Sequence, residues 1–255
     1  IPTYYLSFDS LDVRRDLTIA LYEIDSDNMR LHRQFQEIFI GKWRREWIKP
    51  IFPGSDKYNG VNWVMMRYSD ILLMFAEAEN ELNQGPTAEA MEAFRSVRER
   101  AFRGNTDKMP AIPSDYQGFF DELVKERAWE FGGECIRKFD LIRWNLLDQS
   151  LMQMREDLAK LMDRESPYEN VPARVVWRNE GEQIEYLNLH YHMDSAEIAE
   201  RDSLFWPNVT DWADHITPEY IQSIAEFFEP NRKELLPIHQ NIIDANSELS
   251  NDFGY

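Results

Sequence analysis

The sequence has one cysteine, few basic residues and no long apolar run. With Cys135 alone, an internal disulfide is excluded, and we expect this residue to be a small buried apolar side chain. The 28 Lys and Arg residues face 46 Asp and Glu, which gives a formal net charge of -18 at pH 7 and an isoelectric point near 4.7. Such a field repels phosphate backbones, so the composition argues against a nucleic-acid partner.

Membrane-spanning and start signals are also missing. No stretch of about 18 uninterrupted apolar residues occurs, so the sequence predicts no bilayer-spanning helix. The chain begins Ile1-Pro2, without an initiator methionine or a signal sequence, and we therefore expect a processed or truncated product. At 255 residues it is long enough to bury a substantial core.

The stretch 67–104 shows strong helical periodicity and predicts two amphipathic helices joined by a short turn. Apolar residues recur at gaps of three and four, which places each set on one helical face: Ile71, Phe75, Ala78 and Leu82, then Ala90, Phe94, Val97 and Ala101. Gly85 and Pro86 predict the stop, and Thr87 predicts the cap of the second helix. The pattern matches the tetratricopeptide repeat only in part, so we predict a helical hairpin of that type that must stack on neighbouring helices.

The remaining segments predict a mostly α protein with long loops and a small β-hairpin. Residues 1–66 read as a loop-rich segment with extended pieces at 4–8 and 17–22. Ser114 and Gln117 predict a capping box for a helix that the Gly132-Gly133 pair ends. Further helical patterns cover 136–144 and 151–161, a hairpin is predicted around 179–181, and Thr217-Pro218-Glu219 predicts a last helix before an irregular surface tail.

Two aromatic sets are candidate ligand platforms. A sugar offers apolar C–H faces ringed by hydroxyls, so its binder needs flat rings beside amide, carboxylate or guanidinium groups. The first set is Trp43, Arg44, Trp47, Tyr58, Asn62 and Trp63. The second set is Trp177, Tyr186, Tyr191, Trp206 and Trp212. Large aromatics are usually core residues, and that interpretation stays open for every member, Trp43 and Trp63 included.

Four carboxylates and two histidines suggest other chemistry. Glu126, Glu130, Glu134 and Asp140 could include the acid/base pair of a glycoside hydrolase, although their helical spacing favours ion pairs with Arg127, Arg137 and Arg143. His190 and His192, with Asp194 beyond, have a spacing that a metal site could use, but no third strong ligand follows nearby. We predict no catalytic residue, no metal and no cofactor.

Three sequence blocks, taken in order, resemble the carboxy-terminal region of the SusD/RagB family. They are RYSDILLMFAEAENELN at 67–83, ERAWEFGGECIRKFDLIRW at 126–144 and LLPIHQNIIDANSELSNDFGY at 235–255. Cys135 and Ile136 stand where the family usually has Gly and His, and His239, Ser247 and Phe253 replace prolines. The resemblance implies a SusD-like fold of the carboxy-terminal portion only. On it we divide 1–255 into a loop-rich lead-in (1–66), a helical core (67–163), a variable insertion (164–215) and a final helix and tail (216–255).

The same resemblance implies a function. It points to a non-enzymatic, surface-exposed lipoprotein of the Bacteroidetes outer membrane that captures oligosaccharide and passes it to a SusC-type TonB-dependent transporter. The lipid anchor would lie outside this chain. Two rivals remain open on the residues alone, an α-helical glycoside hydrolase and a tetratricopeptide-like protein-interaction module.

Overall fold

The computed structural model describes residues 2–25, 29–44, 47, 62–180, 183–246 and 248–251. Helices are the main regular structure in these ranges, so the fold is mostly α, as predicted. The helices are α1 (Pro2–Leu6), α2 (Arg14–Thr18), α3 (Tyr68–Asn83), α4 (Ala88–Ala101), α5 (Tyr116–Glu130), α6 (Arg137–Arg143), α7 (Leu147–Asp163), α8 (Ser195–Glu200), α9 (Pro218–Ser223) and α10 (Gln240–Ala245). None of the helices in these ranges is both long and apolar enough to cross a bilayer.

Within the described ranges, short strands form three small antiparallel sheets. The strands are β1 (Ile19–Ala20), β2 (Tyr22–Ile24), β3 (Arg30–His32), β4 (Phe39–Ile40), β5 (Arg174–Glu180), β6 (Gln183–Tyr186) and β7 (Asn208–Asp211). Strand β1 pairs with β4, β2 with β3, and the third sheet has the order β6-β5-β7. The predicted hairpin is β5-β6, with Trp177 opposite Tyr186. Strand β7, which adds Asn208 opposite Trp177, was not predicted.

Helices α3 and α4 form the predicted helical hairpin. Helix α3 ends at Asn83, and the next residue, Gln84, takes the left-handed conformation with φ of 54°. The Thr87 hydroxyl accepts a hydrogen bond from the Ala90 N–H at 3.1 Å. The predicted apolar face of α4 is confirmed, since all four of its members are buried: Ala90, Phe94, Val97 and Ala101. The first three of them pack in one cluster with α3 and α5.

The predicted apolar face of α3 is wrong. Its buried side is one step round the helix, with Leu73, Ala76 and Asn80 packed inward. The set that we expected to be buried, the outer stripe of Ile71, Phe75, Ala78 and Leu82, is exposed. Helix α3 has two apolar stripes, and the positions of α4 and α5 decide which of them is covered.

Helices α5 to α7 follow the predicted order with local differences. The cap of α5 is Asp115 rather than Ser114, because the Asp115 carboxylate accepts the Gly118 N–H at 2.9 Å while the Gln117 amide donates to Asp121. Helix α5 stops just before the glycine pair. Cys135 is exposed rather than buried, since it occupies a left-handed turn with φ of 63° between α5 and α6.

The first residues are helical instead of extended. In α1, the Tyr5 ring packs edge-on against Phe35 and Trp212, with both centroid distances at 6.2 Å, and the Tyr4 hydroxyl donates to the Ala128 carbonyl at 2.8 Å. These distant contacts override the local preference for a strand. In the second piece the extended conformation begins at Ile19, because residues 17–18 complete α2.

Most of the buried apolar side chains of the described residues form two clusters. One lies within α3, α4 and α5, around Phe94 and Phe119. The other joins the first forty residues to α7, the third sheet and the segment before α9, and its largest buried member is Trp212. Residues of 164–215 therefore contribute directly to this second core. Thr217 caps α9 as predicted, and the tail carries the short helix α10.

Candidate functional site

Two members of the first aromatic set, Trp43 and Trp63, contact each other, and a separate contact joins Arg44 to Trp47. The Trp43 and Trp63 rings lie 4.7 Å apart with 35° between their planes. Trp43 is half-buried, Trp63 is 53% exposed, and Asn62 is exposed beside it. Tyr58 lies outside the described residues. A tilted pair of rings with one open indole face is the kind of platform on which a sugar ring can stack.

Arg44 positions Trp47 and is not a free donor. Gly41 follows β4, and a Cβ on it would lie 2.6 Å from Arg44 Nε, so the absence of a side chain lets Arg44 fold back. The guanidinium donates to the carbonyls of Asp16 and Ile19 and to that of Gly41 at 3.1 Å. It then lies 5.2 Å from the centre of the Trp47 ring, in cation–π contact. Trp47 is thereby held with 49% of its surface exposed.

Trp47 forms one wall of a cavity of about 290 Å³. The floor is apolar and comes from Val13 and Leu17 beside α2 and from Ala101 at the end of α4, with Thr18 next to them. The rest of the lining is charged: Arg14, Lys42, Arg67, Arg100, Arg103 and Glu130. The volume is at the lower end for ligand sites, which start at about 300 Å³, so the cavity has room for one ring-sized unit.

Ion pairs fix the inner wall of this cavity. Glu130, at the end of α5, accepts from Arg14 Nη1 at 3.1 Å, from Arg67 Nη1 at 2.7 Å and from Arg100 Nη2. Burial alone would raise the pKa of Glu130. The Arg67 hydrogen bond and the charges of Arg100 and Arg14 outweigh it and lower that pKa to about 2.

The other candidate carboxylates are also ion-paired. Glu126 accepts from Arg14 Nη1 at 2.6 Å and Arg98 Nε at 2.9 Å, and Glu134 pairs with Lys42 and Arg67. Ion pairing was predicted for these carboxylates, but with Arg127, Arg137 and Arg143. The observed partners of Glu126 and Glu134 instead come from elements that are distant in the sequence.

Asp140 has the partners that its spacing predicted. It accepts from Arg127 Nε at 2.8 Å and from Arg143 Nε at 3.0 Å. Arg137 instead donates to the Val124 carbonyl at 2.7 Å.

These pairs bear on the hydrolase alternative. The acid of a glycoside hydrolase needs a carboxyl group that keeps its proton near neutral pH. Glu130 has a lowered pKa, and Glu126 shares two guanidinium groups. The arrangement therefore favours a structural role for both carboxylates.

Most of the second aromatic set is in the core. Trp212 is 1% exposed and stacks on Phe35 with 4.0 Å between ring centres. Trp177 is also buried, and the Tyr186 hydroxyl lies 3.2 Å from His32 Nδ1, where burial raises the pKa of Tyr186. Rings packed in this way offer no face to a ligand, as the core interpretation of large aromatics would have it.

The surface members of that set are Tyr191 and Trp206. Tyr191 is exposed, and Trp206 is half-buried beneath Phe205. The Arg178 guanidinium lies 5.0 Å from the Trp206 ring centre and 3.8 Å from that of Phe205. Arg178, Phe205 and Trp206 thus form a second aromatic surface, which is a competing location for the site.

The His190–His192 pair has no metal-binding arrangement in the structure. Arg164 Nη1 lies 2.7 Å from His192 Nε2, and a cation so close disfavours a metal ion there. Across the described residues, no three or more His, Cys, Asp or Glu side chains converge as a metal site would require.

The sequence did not indicate the cationic lining. The cations come from four separate segments and share no local motif: Arg14, Lys42, Arg67, and Arg100 with Arg103. Their proximity depends on how α2, α4 and α5 pack. No periodicity or spacing rule would have assembled them.

Comparisons with known proteins agree with this architecture. SusD-like protein P25 of Formosa agariphila is 47% identical over 99 residues, which are 38% of this chain and 17% of that protein. SusD-like protein P2 of the same organism is 29% identical over 156 residues, 56% of this chain and 30% of that protein. The chain thus spans less than a third of the length of these relatives.

The crystal structure of a SusD homolog from Bacteroides thetaiotaomicron shares the fold. It aligns with 99% of this chain and 43% of its own, with a TM-score of 0.64 and 24% identity. A family model described as the SusD family matches residues 25–255. The chain belongs to the SusD family.

Proposed function

We propose that this chain is the carboxy-terminal, glycan-binding portion of a protein that captures oligosaccharide for nutrient uptake. Membership of the SusD family supports a role of this class. The observation that carries the proposal is the exposure of Trp63, which is paired with Trp43, and of Trp47, which lines a ring-sized cavity. We treat 1–255 as one domain in this proposal, with the subdivisions given above.

The partners and location form part of the same proposal. The whole protein would be a surface-exposed lipoprotein of the outer membrane in a Bacteroidetes cell, and it would pass sugar to a SusC-type TonB-dependent transporter. Co-purification of such a transporter from outer membranes, and protease sensitivity of the protein on intact cells, test these two points separately from glycan binding.

Binding without turnover is the expected behaviour. The chain is incubated with a panel of labelled oligosaccharides, and bound label and shortened products are measured in one experiment. Retention of intact sugar supports the proposal. Shortened products that vanish in a Glu126→Gln or Glu130→Gln variant that is still folded would make these carboxylates catalytic and refute it.

Substitution of single aromatic residues locates the site. We expect Trp47→Ala and Trp63→Ala each to weaken binding by at least about tenfold, which corresponds to ~1.4 kcal/mol and is modest for loss of a tryptophan contact. Phe227→Ala, on an exposed residue outside both sets, is the matched control and should change nothing. Trp206→Ala tests the competing surface.

Circular dichroism spectra must show that each variant keeps its fold. If only Trp206→Ala weakens binding, the site lies at the third sheet, and our choice of platform is wrong. If a glycan binds and none of these substitutions weakens its binding, neither aromatic set is the binding site.

A further inference from the structure

We propose that the cavity beside Trp47 is a subsite for a negatively charged substituent of a sugar, either a carboxylate or a sulfate ester. This inference rests on the proposed glycan-binding function and names the class of glycan. It comes from the charges around the cavity and from the donors that remain without a partner there.

The lining is cationic in a strongly acidic chain. Its five cations, Arg14, Lys42, Arg67, Arg100 and Arg103, outnumber the carboxylates that contact them. Those carboxylates are Asp12, Glu126, Glu130 and Glu134. Counted over the described residues, the lining cations and their carboxylate partners leave an excess of one positive charge, whereas the chain as a whole carries -18.

Two arginines keep donors for a ligand. Arg103 is exposed and has no hydrogen bond or ion pair with any residue that the structure describes. Arg100 is 52% exposed at its side chain and uses only Nη2, which donates to Glu130 and to the Ser69 hydroxyl. Its Nε and Nη1 have no partner within the described ranges. By contrast, every side-chain nitrogen of Arg14 and Arg67 is already engaged.

The two free donor groups match an anion better than a hydroxyl. A guanidinium presents its N–H groups as a planar fork that fits the oxygens of carboxylate and sulfate groups, and bonds to a charged acceptor are about twice as strong as neutral ones. The apolar floor of Val13, Leu17 and Ala101, with the Trp47 ring, suits the C–H face of the same sugar unit. One acidic sugar ring therefore satisfies both halves of the cavity.

The overall negative charge does not prevent this binding at ordinary ionic strength. Charges farther away than about 8 Å are largely screened in physiological salt. An acidic glycan that reaches the cavity then responds mainly to the local excess of cations.

The test compares acidic oligosaccharides with neutral counterparts of the same length and linkage. The probes are tetragalacturonic acid against its methyl ester, and a sulfated carrageenan tetrasaccharide against its desulfated form, each titrated into the 255-residue chain by calorimetry. We expect at least one acidic probe to bind about tenfold more tightly than its neutral counterpart, an advantage that decreases as NaCl is raised. The carboxylate and sulfate pairs decide which anion is preferred.

Arg103→Gln should remove most of that advantage and leave the neutral probe within twofold of its original affinity. Arg95→Gln is the matched control, because Arg95 lies on the same helix region, pairs with Glu92 and does not line the cavity. It makes the same change in net charge and should leave both affinities unchanged. Trp47→Ala should weaken acidic and neutral probes alike.

Three results would overturn the inference. Acidic and neutral probes could bind equally, or Arg103→Gln could act no more strongly than Arg95→Gln. Either result would refute the anion subsite. The proposed glycan-binding function would still stand if neutral glycans bound. Absence of binding to every glycan, acidic or neutral, would refute both the inference and the proposed function.

Discussion

Replacing Glu130 with glutamine should destabilise the fold strongly at neutral pH. The pKa of this buried carboxyl is about 2, against an ordinary value of 4.5. A difference of this size is worth about 3 kcal/mol of folding free energy, since each pKa unit corresponds to ~1.4 kcal/mol. Glutamine is nearly the same shape but uncharged, so it leaves Arg14, Arg67 and Arg100 without the anion that they share.

The pH dependence follows from the direction of the shift. Because the pKa of Glu130 is lower in the folded state than in the unfolded chain, its contribution is complete above the unfolded-state value of 4.5. It is lost as the pH falls through the folded-state value of about 2. The stability difference between the original chain and Glu130→Gln should therefore be about 3 kcal/mol at pH 7 and about half of that at pH 3.

Urea unfolding followed by tryptophan fluorescence, at several pH values and low protein concentration, measures this difference. Glu99→Gln is the control, because Glu99 is exposed on α4, and its effect should stay within about 0.5 kcal/mol. A Glu130→Gln variant as stable as the control, or a difference that does not change with pH, would show that Glu130 does not hold these arginines by its charge.

Two further changes test the backbone of the helical region. Gly133 and Gly104 both have positive φ, 79° and 81°, but a Cβ on Gly133 would lie 2.3 Å from Ile40 Cγ2, whereas a Cβ on Gly104 meets nothing within 4 Å. Each alanine variant should lose about 1–2 kcal/mol of folding stability because alanine disfavours the left-handed conformation. Gly133→Ala should lose a further ~1–3 kcal/mol because its Cβ clashes with Ile40. Equal shifts of the thermal unfolding midpoint in the two variants would contradict the packing of β4 on this turn. Thr87→Ala should cost about 1 kcal/mol of stability because α4 loses its cap, whereas Thr87→Ser keeps the hydroxyl and should cost much less. Equal urea midpoints for the two variants would mean that the hydroxyl does not cap the helix.

The sequence predicts an element well when only one arrangement satisfies its pattern. Helix α4 has one apolar stripe, and Phe94 on that stripe is buried as expected. Helix α3 has two stripes, so its periodicity identified the helix but could not choose the covered side. Tyr5 is helical for a similar reason, because its contacts with Phe35 and Trp212 outweigh its local preference.

The candidate site shows the same limit. Residue chemistry picked out Trp47 and Trp63 as platforms, and both are exposed. It picked out Trp177 and Trp212 by the same criterion, although the structure buries them. Composition identifies a ring but not its neighbours, and the neighbours are set by the packing of distant elements. No sequence pattern pointed to Arg103, because its proposed role depends on the residues that line the cavity with it.

The outer stripe of α3 should make this chain prone to self-association at acidic pH. Phe75 and Leu82 lie on an uncovered apolar surface, and at pH 7 the net charge of -18 keeps copies of the chain apart. Near the isoelectric point of about 4.7 that repulsion disappears while the stripe remains. Light scattering should then rise sharply as the solution is acidified through this range, which lies well above the pKa of about 2 of the buried Glu130. In acidic buffers we therefore expect aggregates of the chain rather than dispersed single copies.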